Sequence, residues 1–233
     1  MARLLSVVIP VYNEAASVAQ LIERVRRAPV EIPREIIVVD DASSDGTAEI
    51  LKDAEAASSG DLRLIRHVAN RGKGAAVRTG LAAARGEVVV IQDADLEYDP
   101  RDYALLLEPI LEGQADVVFG NRFHGGPHRV LYFWHYVANR ALTLLTNVLT
   151  GLNLSDMEVG YKAFRTDVLR RLELRSERFG IEPELTIKVA RLRCRIYEVP
   201  IRYYGRTYEE GKKITWRDGV AAVYHIFRYR LFP

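Results

Sequence analysis

Along the first 120 residues, short continuous apolar runs alternate with segments in which apolar side chains recur every three to four positions. The runs at 4–10, 35–40, 62–67, 87–93 and 116–120 predict five strands. Between them, 16–27 (Val18, Leu21, Ile22 and Val25 on one face), 44–57, the small-residue stretch 74–84, and 101–112 predict helices. Capping-type residues around Ser44-Asp45-Gly46-Thr47 open the second of these. Strands apolar throughout are buried on both faces, so the pattern predicts a parallel sheet. Right-handed crossovers then give a Rossmann-like, doubly wound layer with helices on both faces.

Beyond Gly120 the pattern changes. Gly125-Gly126-Pro127 signals a turn, and 130–150 reads as one or two helices. Further helices are predicted at 167–172, 182–190 and 216–229, and a strand at 195–204. No repeat, low-complexity tract or linker interrupts the chain, so a single α/β domain is expected.

The 233 residues suffice for one α/β domain with a substantial core. A net charge of +2 gives no case for nucleic acid, and a single cysteine, Cys194, excludes an internal disulfide. The opening apolar run reads as the first strand rather than a signal peptide. No window offers about 18 uninterrupted apolar residues, the span of a membrane helix. The nearest, 130–154, is broken by His135, Asn139 and Arg140.

Chemistry concentrates where ligands bind in open α/β sheets, at the carboxyl ends of strands. Those ends read Pro10-Val11-Tyr12-Asn13-Glu14, Asp40-Asp41-Ala42-Ser43, Asp93-Ala94-Asp95-Leu96-Glu97 and Gly120-Asn121-Arg122. Asp93 and Asp95, one residue apart past a buried strand, suit a hard cation such as Mg²⁺ or Mn²⁺ bridging the protein to a diphosphate. Glu97 would add a third oxygen. Asp41 is placed to accept hydrogen bonds from a nucleotide base, and Asp45 reads as a structural turn residue. Asn70-Arg71-Gly72-Lys73-Gly74 suits phosphate, although it is not a Walker A loop. His124, His128 and His135 complete no zinc pattern. The aromatic stretches 130–134 and 224–232 read equally as core or as a membrane-facing surface.

These motifs occur in order: VVIPVYNE (7–14), IIVVDDASSDGT (36–47), NRGKGAAVRTG (70–80), VVVIQDADLEYDP (88–100) and VFGNRF (118–123). DMEVGYKAFR (156–165) and GRTYEEGKKI (205–214) follow. Together they resemble family 2 glycosyltransferases of the GT-A fold, most of all the polyprenyl-phosphate hexosyltransferases such as dolichyl-phosphate mannose synthases. The resemblance implies a nucleotide-sugar-binding half at 1–122 and an acceptor-binding half at 123–233. It implies transfer of mannose or glucose from a GDP- or UDP-sugar to a polyprenyl phosphate, with inversion. Pro10, Tyr12, Glu14 and Asp41 would line the nucleoside pocket beside Lys73, and Asp93, Ala94 and Asp95 would meet the donor. Asp93, Asp95 and Glu97 would hold Mg²⁺ or Mn²⁺. Arg122 would face the acceptor, while Arg206 and Lys213, with Lys212, would reach the phosphates.

Two departures fall on the acceptor side. Glu210-Gly211-Lys212-Lys213 replaces a Gly-x-Ser-Lys core, and His135 precedes Ala138-Asn139 where synthases often carry Ser. A phosphate acceptor is already anionic and needs cations. An alcohol acceptor would instead need a carboxylate base, for which Asp156 and Glu158 are the downstream candidates. The resemblance further implies a cytoplasmic enzyme lying peripherally on a membrane surface, alone or with a separate membrane subunit. A soluble transferase with a saccharide or small-alcohol acceptor, and a non-catalytic nucleotide-sugar-binding module, are the other readings. No G-x-G-x-x-G follows the first strand, which argues against a dinucleotide oxidoreductase.

Overall fold

The computed structural model describes residues 4–123, 125, 127–130, 132–207, 209–210 and 216–232, with 216 and 217 by backbone alone. Seven strands form one sheet in the order β3-β2-β1-β4-β6-β5-β7. The strands are β1 (Leu5–Val11), β2 (Arg34–Asp40), β3 (Leu62–Arg66), β4 (Val88–Ile91), β5 (Val117–Asn121), β6 (Lys162–Arg165) and β7 (Ile196–Pro200). β1 pairs in parallel with β2 and β4, β2 with β3, and β5 with β7. β6 runs antiparallel to both β4 and β5.

β1 is buried along its whole length, and β2 at every residue after Arg34. Their unbroken apolar runs are therefore the signature of strands covered on both faces. Helix α1 (Val18–Arg26) turns Val18, Leu21, Ile22 and Val25 inward. Helix α2 (Thr47–Ala56) packs on α1 and β3, and α3 (Lys73–Ala83) on β1 and β2. Helix α4 (Tyr103–Leu111) covers β5, β6 and β7. In the second half, α5 (Phe133–Thr150), α7 (Ile181–Arg191) and α8 (Trp216–Leu231) pack on one another, and α6 (Thr166–Leu169) is a single turn. Among the described residues no helix is long and apolar enough to cross a membrane.

Several expected boundaries move. The fourth strand ends at Ile91, so Asp93 lies in the following turn. The helix expected at 167–172 spans only Thr166–Leu169, and the strand expected to run to 204 stops at Pro200. Beyond it, Tyr203 makes only isolated bridges, to Tyr98 and His128. β6 has no counterpart in the sequence pattern. It is four residues long and begins with Lys162, a charged residue that is 1% exposed.

Candidate active site

β1, β2, β4 and β5 all point their carboxyl ends to one edge of the sheet, because β6 reverses direction between β4 and β5. The turns leaving β1, β2 and β4 each contain a non-glycine residue in the left-handed region: Asn13 (φ 53°), Ala42 (φ 60°) and Leu96 (φ 61°). Such backbone persists only where surrounding bonds fix it. Asn13 supplies two of them, donating its N–H to Ser43 Oγ (3.0 Å) and accepting from Ser44 N (2.9 Å). The Ser17 hydroxyl lies 2.8 Å from Glu14 Oε2 and 2.9 Å from the Ala94 carbonyl, joining the first turn to the third.

Two cations are embedded in the carboxylates. Lys73, the first residue of α3, has Nζ 2.7 Å from Asp93 Oδ1 and 2.8 Å from Glu182 Oε1. Burial alone would lower the ammonium pKa, but the charges of Asp93 and Glu182 hold it well above the usual lysine value. Arg206 reaches in from the loop after β7. Its Nη2 is 3.0 Å from Asp95 Oδ2, its Nη1 3.5 Å from Glu14 Oε2, and its Nε 3.7 Å from Glu97 Oε1. Glu97 accepts from the Arg206 backbone N–H (2.7 Å) and the Tyr203 hydroxyl (3.0 Å).

The three-carboxylate ligand set expected over Asp93, Asp95 and Glu97 is therefore not assembled as one cage. Among the described residues, no three His, Cys, Asp or Glu side chains converge for a metal. Lys73 draws Asp93 to one side, while Arg206 and Tyr203 hold Glu97 on the other. The donor chemistry nonetheless fits a hard cation. Burial first, and then the charges of Glu97 and Asp93, push the Asp95 carboxyl up to about 7 against the pull of Arg206. The neighbouring charges of Glu97 and Asp93 are like charges that a bound cation would offset. Mg²⁺ and Mn²⁺ sites commonly take one or two protein carboxylates and complete their shell with phosphate and water.

The remaining expected site residues spread along one cavity of about 1760 Å³. Pro10, Tyr12, Glu14, Asp41 and Lys73 line it, as do Asp93, Ala94, Asp95, Glu97 and Arg206. Asp41 spends its carboxylate on the protein itself. Its oxygens accept from the N–H groups of Arg71 (3.0 and 3.1 Å) and Gly72 (2.6 Å) and lie 2.6 Å from His67 Nδ1. Gly72, at φ 94°, lets this loop cross the 177–178 backbone, where a Cβ would come within 2.4 Å of the Glu177 carbonyl. Arg122, His128 and Tyr203 line the cavity too, as do residues of α5 and α8. Lys212, Lys213 and His124 lie outside the described residues.

Of the two downstream carboxylates, Asp156 is held in a two-point pair with Arg122, Nε–Oδ2 and Nη2–Oδ1 both 2.7 Å, and also accepts from Asn139 (3.0 Å). Burial would raise this carboxyl, but Arg122 outweighs burial and holds it below the usual aspartate range. A group so stabilised as an anion makes a poor base. Glu158 lines the cavity, and burial followed by the charge of Glu182 pushes its carboxyl up to about 8.

Sequence reasoning missed Glu182, Tyr203 and Tyr98 as parts of this site. Tyr98 stacks on Tyr161 (centroids 5.1 Å apart), and its hydroxyl accepts from the Gly160 N–H at 3.1 Å. Glu182 lies in the first turn of α7 directly after Gly180, a position that reads as a helix start rather than as chemistry.

Comparison with known proteins identifies the family. The model of the family described as "Glycosyl transferase family 2" matches residues 6–173. An undecaprenyl-phosphate mannosyltransferase from Micrococcus luteus is 35% identical over 212 residues, covering 88% of this chain and 85% of that protein. An undecaprenyl-phosphate 4-deoxy-4-formamido-L-arabinose transferase from Aeromonas hydrophila is 32% identical over 212 residues, 90% of this chain but 63% of that protein. Glucosyl-3-phosphoglycerate synthase from Mycobacterium tuberculosis superposes with a TM-score of 0.75 at 22% identity, covering 99% of this chain and 81% of that one, a likeness of fold. With a family match over most of its length and a sheet edge furnished as described, the chain belongs to glycosyl transferase family 2 and is a glycosyltransferase of GT-A architecture.

Proposed function

We propose that this glycosyltransferase moves a hexose, mannose or glucose, from a GDP- or UDP-sugar to a polyprenyl phosphate, with inversion at the anomeric carbon. The observation that carries the proposal is the mixed lining of one cavity. Lys73, Asp93, Asp95 and Arg206 line it together with apolar residues of α5 and α8, including Leu142, Leu145, Val220 and Val223. The charged group suits a diphosphate and the apolar helices a hydrocarbon chain. The likeness to the Micrococcus luteus mannosyltransferase supports the prenyl-phosphate acceptor and favours mannose among the hexoses.

In this reading the acceptor phosphate oxygen bonds to the anomeric carbon as the bond from that carbon to the diphosphate breaks. The nucleoside diphosphate leaves from the opposite face. Asp93 and Asp95 would hold Mg²⁺ or Mn²⁺, which supplies charge neutralisation on the departing diphosphate. Arg206 adds a guanidinium beside Asp95 for the same developing charge. Pro10, Tyr12, Glu14 and Asp41 flank the nucleoside, with Lys73 next to them. Arg122, fixed by Asp156, adds a cation to the lining of the same cavity. Lys213 would add a further cation toward the phosphates. Because the acceptor is anionic, the reaction requires alignment rather than a base, consistent with Asp156 being committed to Arg122. The exposed aromatic side of α5 would rest on the bilayer that carries the acceptor.

The test supplies purified protein and Mn²⁺ with GDP-mannose or UDP-glucose and a short-chain prenyl phosphate. Sugar should appear on the prenyl phosphate, and Asp95→Asn should abolish transfer. Sugar delivered to a free saccharide but never to the prenyl phosphate would overturn the proposal.

A further inference from the structure

Segment 155–160 supplies Glu158 and Gly160 to the cavity lining and is pinned at nearly every residue. Ser155 and Asp156 donate their N–H groups to the Glu198 carboxylate (2.9 to 3.2 Å), and Met157 N–H donates to Thr143 Oγ1 (3.1 Å). The buried Lys162 ammonium donates to the carbonyls of Met157 and Val159. The Gly160 N–H donates to Tyr98 Oη, and its Cα presses so closely on Asp93 that a Cβ there would lie 2.3 Å from Oδ2. The backbone on both sides of Glu158 is therefore fixed. The segment has Arg122 bound at Asp156 and the Asp93–Lys73 pair packed against Gly160.

Glu158 is presented from this rigid strap to the cavity wall. Of the carboxylates on that wall, it alone carries a buried oxygen, Oε1, with no hydrogen-bond partner among the described residues. Its acidic neighbours are otherwise engaged: Glu182 and Asp93 by Lys73, Asp156 by Arg122 and Asn139, Asp95 by Arg206. A buried polar atom left unpaired costs free energy unless a partner arrives. Glu158 lines the same cavity as Lys73, Asp93, Asp95 and Arg122, and a sugar held among these groups would bring the partner that its unpaired carboxyl lacks. A sugar hydroxyl can donate to that oxygen, or accept from the carboxyl when it is protonated.

We infer that Glu158 is a specificity-determining residue that hydrogen-bonds a hydroxyl of the donor's sugar, and so selects which sugar is transferred. This rests on the nucleotide-sugar reading above. Its chemical target is a ring hydroxyl of a hexose, not the base, the diphosphate or the lipid.

The test is calorimetric and needs no acceptor. Wild type, Glu158→Ala and Glu158→Gln are titrated, with Mn²⁺ present, with UDP, GDP, UDP-glucose, GDP-mannose and monodeoxy forms of whichever sugar nucleotide binds. Glu158→Ala should weaken the intact sugar nucleotide roughly tenfold or more and leave the free nucleoside diphosphate within about threefold. One deoxy form should lose as much in wild type and lose nothing further in Glu158→Ala, because the same contact is already gone. Glu158→Gln, which keeps the shape and a hydrogen-bonding end, should lie between the two and serves if the alanine variant does not fold. Equal losses for sugar nucleotide and nucleoside diphosphate would overturn the inference. So would additive losses for every deoxy form, or unchanged donor affinity with a turnover defect alone. Failure of wild type to bind any nucleotide or sugar nucleotide would instead sink the proposed function, and this inference with it.

Discussion

Arg122 and Asp156 face each other in a two-point ion pair, with the aspartate side chain completely buried and the guanidinium lying 5.2 Å from the centre of the Tyr203 ring. A buried pair adds little net stability against an apolar replacement, but removing one partner strands the other charge. Asp156→Ala should therefore cost about 3–5 kcal/mol in denaturant unfolding. Arg122→Lys should also be harmful, because an ammonium cannot reproduce the two parallel bonds. The double variant Arg122→Met/Asp156→Leu should recover much of the stability without recovering transfer. A double variant no more stable than Asp156→Ala would show that the pair is not the source of the loss.

Gly160 sets a second, tighter constraint. A Cβ at this position would fall 2.3 Å from Asp93 Oδ2 and 3.2 Å from Lys73 Nζ. Gly160→Ala must then push the Asp93 carboxylate off its position, with Lys73 following. Displacement of a reacting constellation by about 1 Å can cost on the order of a hundredfold in rate. The variant should fold, lose Mn²⁺-dependent nucleoside diphosphate binding in a thermal-shift assay, and lose turnover. Retained binding with a normal midpoint would mean that Asp93 is not the residue that matters there.

What the sequence could reveal follows from range. β1, β2 and β4 announce themselves because burial on both faces makes them locally apolar, and the turns after them carry the polar residues that meet in the cavity. β6 is different. Its position between β4 and β5 is set by partners some 45 to 75 residues earlier in the chain, and its leading Lys162 is neutral to no propensity rule. Its burial is tolerable because the carbonyls of Met157 and Val159 receive its ammonium, the charges of Glu182, Glu158 and Asp156 favour it, and the Phe119 ring lies 4.7 Å away. In the same way, the Asp-x-Asp spacing pointed to Asp93 and Asp95 but not to their engagement by Lys73 and Arg206. Those pairs join residues 20 and 111 positions apart, respectively. Glu182 had no local signal, since an acid in the first turn of a helix is ordinary.

Stability should depend on pH through Glu158. Burial, and then the charge of Glu182, push its folded carboxyl up to about 8 from the ordinary 4.5, so the folded state holds its proton more tightly than the unfolded chain does. Its contribution is fully present below about 4.5 and is lost as pH rises through 8. Glu158→Gln, which stays neutral, removes that dependence. Melting temperatures of wild type and variant should therefore diverge as pH goes from 5 to about 8, with wild type falling relative to the variant. Parallel curves would show that the carboxyl is already ionised in the folded protein at neutral pH.

The outer side of α5 carries Phe133 (65% exposed), Trp134 (75%), Leu144 (64%) and Val148 (73%), and Val130 (87%) precedes it. The neighbouring α8 adds exposed Val220, Tyr224, Phe227 and Leu231, with Arg228 and Arg230 in its last turn. Aromatic and aliphatic side chains flanked by arginines are what an interfacial helix offers to a bilayer with anionic headgroups. Residues of both helices line the cavity, so a membrane on this face would bring a prenyl phosphate close to it. The protein should co-sediment with phosphatidylglycerol vesicles at low salt and less so at high salt, as screening weakens the arginine contribution. Phe133→Ser/Trp134→Ser should abolish that binding and slow transfer to a long-chain prenyl phosphate in vesicles. It should leave transfer to a detergent-soluble short-chain acceptor nearly unchanged, because that acceptor reaches the enzyme without a membrane. Vesicle binding that survives the double substitution would place the membrane on another face of the molecule.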